Sequence, residues 1–179
     1  MEGLTNFISE LQQQCETSYD KFPDIELYMD QVLSYLERGS VSSREGDKLT
    51  AAMINNYIKD DLVPRAKLKR YSRDHLASLT IVSRLKQVLS VKDMILLLRE
   101  DMREKSTSEY YANFLSLLDS SLLQLSDECA KIKDDTISAA ALRLAVASYV
   151  NKVACEYLID SLAKKGTGKK GEEKPTLER

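Results

Sequence analysis

The stretch Leu49–Leu98, LTAAMINNYIKDDLVPRAKLKRYSRDHLASLTIVSRLKQVLSVKDMILLL, decides the fold of this 179-residue chain, because it joins a short helix, a basic connector and two further helices. From an N-cap at Thr50, helical spacing puts Ala51, Ile54, Tyr57 and Ile58 on one face and Ala52, Asn55, Asn56 and Lys59 on the other. A short helix with a small, amide-rich outer face can lie in a major groove. Asn can bond a base edge bidentately, and Ala allows close approach to a thymine methyl. On this helix alone, an ordinary amphipathic helix with a solvated polar face is the better reading.

The residues after the helix shift the balance. Pro64, after Leu62-Val63, ends the helical run, since the residue before a proline is pushed toward extended conformations. Lys59 to Arg73 holds six basic residues (Lys59, Arg65, Lys67, Lys69, Arg70, Arg73) against Asp60 and Asp61, a local charge of +4. Ser42 to Lys92 carries +6, which leaves −8 for the rest of a chain whose total is −2. Such separation of charge is the footprint expected when one region meets phosphates and the rest does not.

These residues resemble a known family. Ile54-Asn55-Asn56-Tyr57-Ile58-Lys59, Leu62-Val63-Pro64, Arg70-Tyr71-Ser72, Leu76 and Leu79 look like the DNA-binding domain of MerR-type regulators. A closer resemblance, over roughly 23 to 98, is to the bacterial domain of unknown function 1836, carried by PDIELYMDQV, MINNYIKDDLVP, KRYSRDHL and LKQVLSVKDM. The resemblance implies a mainly α fold: a MerR-like winged helix-turn-helix with a small or vestigial β wing, followed by a long C-terminal helical hairpin. Departures from the MerR pattern are Asn55 where Arg is usual, Asp61 where Gly is usual, and a short wing at 65–69, closer to a tight basic turn than a true hairpin. The family's effector-binding cysteines have no counterpart here, so metal sensing is not carried over.

The chain divides into four regions: an N-terminal amphipathic helix (1–22), the winged helix-turn-helix (23–104), a helical hairpin for dimerisation or effector binding (105–165) and a disordered charged tail (166–179). In the first, Leu4, Phe7, Ile8, Leu11, Cys15 and Tyr19 recur at helical spacing, and a helix of that size needs something to pack on. Pro23-Asp24 opens the next helix, through Arg38, and Ser72 and Ser90 read as N-caps, the latter with Asp93 as a near capping box. Two long helical patterns then run from Ser108 to Lys133 and from Thr136 to Lys165, joined by Asp134-Asp135, and so short a turn predicts antiparallel neighbours. Ala139, Ala140, Ala141, Ala145 and Ala147 offer a close contact for a homodimer, and Gly166 ends the helix. A private bundle closing the core is nearly as good a reading of the hairpin.

Composition excludes other classes. Three prolines, six glycines and 43% hydrophobic residues suit helices better than a β-sandwich. No run approaches a membrane span, and MEGLTNFISE lacks the basic start and apolar core of a signal peptide, so the cytoplasm is the expected compartment. Cys15, Cys129 and Cys155 are odd in number and far apart, which suits free thiols. The lone histidine, His75, in the first turn of a helix, is expected at the surface or beside a phosphate. No cofactor, metal set or small-molecule effector is named by the residues, and GTGKKG in the tail lacks P-loop spacing.

The chain therefore reads as a non-enzymatic bacterial regulator that binds double-stranded DNA as a homodimer. Ala52, Asn55 and Asn56 are expected to face base edges. Thr50, Lys59, Arg65, Lys67, Lys69, Arg70, Tyr71 and Arg73 are expected to hold phosphates. The competing reading is a protein-interaction adaptor that keeps the winged-helix fold without DNA binding.

Overall fold

The structure, a computed structural model, describes residues 2–15, 17–39, 48–102, 104–131 and 136–168. The described residues form seven α-helices: α1 (Glu2–Cys15), α2 (Met29–Arg38), α3 (Ala51–Lys59), α4 (Arg73–Leu85), α5 (Val91–Asp101), α6 (Thr107–Lys131) and α7 (Ile137–Gly168), with a 3-10 turn at Tyr19–Lys21. No strand occurs among them, only two isolated antiparallel bridges, Leu27 with Tyr71 and Lys67 with Arg70. The mainly α expectation holds.

Helix α4 is the centre. His75 to Leu79, Ile81 and Val82 are all buried, so the helix is enclosed on nearly every side. It packs against α2 and α6, and Val32 of α2, Ile54 of α3, Met94 of α5 and Tyr111 of α6 close the core around it. Helix α1 lies along α6 and buries Ile8, the packing surface that its amphipathic pattern required.

Local chemistry sets the helix starts where the sequence placed them at three points. Thr50 Oγ1 accepts the Met53 N–H at 3.2 Å and Ser90 Oγ accepts the Asp93 N–H at 3.2 Å, while Ser72 caps α4 through the N3 residue. Helix α2 differs. The sequence opens it at Pro23-Asp24, but it begins at Met29, because Leu27 is drawn into extended pairing with Tyr71 through bonds of 2.9 and 2.8 Å. The chain turns helical only after that bridge, where Gln31 Oε1 accepts the Tyr28 N–H at 2.9 Å. The connection from α2 to α3, 40–47, lies outside the described residues.

The exit from α3 is a Schellman motif. Leu62 N–H bonds to the Tyr57 carbonyl at 2.9 Å and Asp61 N–H to the Ile58 carbonyl at 3.3 Å, with Asp61 left-handed at φ 56°. Asp61 thus takes the left-handed position that glycine usually fills after a helix, and Leu62 and Val63 anchor the turn in the core. Asp61→Gly is expected to raise stability by about 0.5–1 kcal/mol by relieving the left-handed strain, measured by urea unfolding. The Arg99 ion pair that it removes, 3.4 Å between exposed groups, is worth little in return.

The extensive contacts of the two long helices, expected to pair as antiparallel neighbours, are with other helices. Helix α6 packs on α1 and α4, whereas α7 packs on α5. The turn residues 132–135 lie outside the described residues, and α7 runs two residues past Gly166 before the tail, 169–179, likewise outside them.

Candidate nucleic-acid interface

The Leu27–Tyr71 bridge brings the start of α2 beside the connector after α3, and a groove of about 870 Å³ opens between them. One wall is α3, with Ala51, Asn55, Ile58 and Lys59; the facing wall is Arg65, Ala66 and Lys69; Tyr28, Met29 and Asp30 close one side and Tyr71 floors it. Ala51, Asn55 and Lys59 form a single i, i+4 row, which is why they share the groove.

The connector folds into the tightest of turns. Arg70 N–H bonds to the Lys67 carbonyl at 2.9 Å, and the two residues between, Leu68 and Lys69, have φ of 50° and 61°. That is the left-handed geometry of a type I′ hairpin, normally given to Asn or Gly. Leu68 at its tip is 91% exposed, and the Arg70 guanidinium lies 5.5 Å over the Tyr28 ring, tying the turn to the start of α2. The expected short basic turn is therefore present, without strands on either side.

Lys59, Arg65, Lys67 and Lys69 are exposed and form no ion pair among the described residues. Asn55 lies in the groove, while Ala52 and Asn56 are exposed on α3 one position further round. Thr50 is spent on its cap.

Two expected phosphate contacts sit elsewhere. Tyr71 is only 4% exposed, a core residue whose ring packs edge-on to His75 and whose hydroxyl pKa is raised by burial. Arg73 is held by Asp24 at 3.0 Å and lies over the Tyr19 ring, so its charge is already answered within the chain. Tyr19 in turn donates its hydroxyl to Asp74 at 2.5 Å, and burial together with that carboxylate pushes its pKa up to about 12. Missed in the sequence were Tyr28, Met29 and Asp30, which only a contact between distant segments brings to the groove, and Ala51, assigned there to the opposite face of α3 but in the structure on the i, i+4 row of Asn55 and Lys59.

His75 is the clearest correction. It is buried, and its Nδ1 accepts the Ser72 N–H at 3.0 Å, which completes the cap of α4 and leaves the ring proton on Nε2. Burial lowers its pKa below the ordinary value and outweighs the opposing pull of the Arg65 and Pro64 backbone and of the nearby Asp74 and Glu26 charges. A base whose folded pKa lies below its unfolded one binds its proton first in the unfolded chain. Its contribution is present in full above about pH 6.5 and is lost as pH falls below that value toward the folded pKa. Urea midpoints at pH 7.5 and 5.5 are expected to drop for the native chain and to drop less for His75→Gln.

No helix among the described residues is long and apolar enough to cross a membrane, and none of their His, Cys, Asp and Glu side chains gather in threes that could hold a metal. The geometry defines a mainly helical protein with a cationic groove between a helix and a tight turn. The chain belongs to the family described as Domain of unknown function (DUF1836), whose model matches residues 17–114, more than half its length. The match spans the groove and α2 to α5 and stops within α6. No match is found among curated proteins or among solved structures.

Proposed function

We propose that the chain is a bacterial, cytoplasmic, sequence-specific DNA-binding regulator of MerR-like winged helix-turn-helix type, with α3 as the recognition helix and the Lys67–Arg70 turn as a reduced wing. The observation that carries this reading is the groove itself: three exposed cations without ion pairs among the described residues, Lys59, Arg65 and Lys69, line it together with Asn55, in a chain of net charge −2. Lys59, Arg65, Lys67, Lys69 and Arg70 meet phosphates, and Asn55, with Ala52 and Asn56 beside it, meets base edges. Asp30 on the groove wall repels phosphate and helps to set register. Two copies would supply two half-sites about one helical turn, roughly 34 Å, apart.

Repeated selection of bound duplexes from a random pool tests the reading. Enrichment of one motif supports it. A pool that stays random while the protein still captures cellular proteins supports the adaptor reading instead.

A further inference from the structure

Helix α7 is apolar on two opposite faces. The inward face carries Ala140, Leu144, Cys155 and Ile159, of which Cys155 and Ile159 join the core of the chain. On the opposite face, Leu142, Val146, Tyr149, Val150, Val153 and Tyr157 fall within about 50° of one line along the helix. All six are 46–71% exposed. Arg143 is the only charged residue between Ile137 and Asn151. A helix that is apolar on both faces belongs between two layers of protein, and the described residues supply one.

We infer that the second layer is α7 of a second copy, laid antiparallel across a two-fold axis between Tyr149 and Val150. The steps along the stripe are 4, 3, 1, 3 and 4 residues, the same from either end. Reversed on itself, the stripe sets Leu142 against the second copy's Tyr157 and Val146 against its Val153, while Tyr149 and Val150 each meet their own equivalents beside the axis. A surface that matches its own reversal is what an isologous contact requires, and an unrelated partner has no reason to share that symmetry. The area suits as well: at roughly 200 Å² for a large side chain fully exposed, the six present on the order of 700 Å² per copy, near the ~800 Å² per partner of a standard interface. The contact differs from the alanine seam expected in the sequence: Ala139 falls on the stripe, but Ala140 faces inward and Ala141, Ala145 and Ala147 lie about 90° or more from its centre line. It involves no residue of the groove, so it stands or falls apart from DNA binding.

Light scattering and equilibrium sedimentation of the intact protein at tens of micromolar should give twice the chain mass. Tyr149→Glu, at a side chain exposed in the single chain, should give the chain mass with an unchanged helical spectrum, weakening association at least a hundredfold. A short bismaleimide should join two Val150→Cys chains. It should join Leu142→Cys to coexpressed Tyr157→Cys but not Leu142→Cys to itself, above the background of the native cysteines. A monomeric native chain, a Tyr149→Glu chain that stays dimeric, or efficient joining of Leu142→Cys to itself would overturn the antiparallel contact. So would loss of folding in Tyr149→Glu, which would mean that the face is covered by its own chain.

Discussion

Replacing Lys67, Lys69 and Arg70 together by alanine is expected to lower affinity for every duplex, specific or random, by on the order of 100-fold at about 150 mM salt. The three belong to one tight turn, of which Lys69 lines the groove, and Lys67 and Lys69 answer no carboxylate among the described residues. Removing one phosphate contact takes about one unit from the slope of log affinity against log salt, so the slope should flatten by up to about three. Stability should change little, because all three side chains are exposed and the Lys67–Arg70 backbone bond does not depend on them. Arg70 carries a second consequence, since its removal frees the Tyr28 ring on which it stacks. Arg70→Lys should therefore restore less binding than a pure charge count predicts, as a lysine keeps the charge but stacks less well. Fluorescence anisotropy with labelled duplexes across a salt series reads all of this.

Asn55→Ala is expected to act in the opposite manner, sharply on the preferred sequence and barely on random DNA. Removing a bidentate adenine bond costs roughly 1–3 kcal/mol, or about 5- to 150-fold, and relaxes preference at one base pair. Asn55 shares the groove with Lys59 and Arg65, whereas Asn56 points further round the exposed side of α3. The larger effect should thus fall on Asn55, although the two are indistinguishable by residue type. Equal losses on specific and random duplexes would make Asn55 a backbone contact instead.

The parts of this fold that are legible in the sequence are those decided within a few residues. Thr50, Ser72 and Ser90 cap their helices because a hydroxyl satisfies the free N–H groups of a first turn wherever it stands, and Pro64 marks the end of α3 for an equally local reason. The cationic rim is legible too, since charge needs no tertiary structure to be counted. The features that escape the sequence depend on distant partners. The Leu27–Tyr71 bridge, formed across 44 positions, delays α2 to Met29, places Tyr28 and Asp30 in the groove and sinks Tyr71 into the core. His75 reads as a surface residue because polar side chains in a first helical turn usually are. Here it is the acceptor that caps α4 and is covered by the turn before it. Arg73 counts as a free cation in the sequence, but Asp24 and Tyr19 enclose it in the fold. The two long helices show the same limit: turn length suggests which helices are consecutive, but not that α7 prefers α5.

The central claim is that the groove beside α3 holds the phosphates of a duplex. Its most direct test is the affinity of the intact protein for a mixed-sequence duplex measured from low to near-physiological salt. With Lys59, Arg65, Lys67, Lys69 and Arg70 each meeting a phosphate, the slope should be about −4 to −5 for each copy bound. An affinity that is negligible at low salt, or that does not change with salt, would contradict the account.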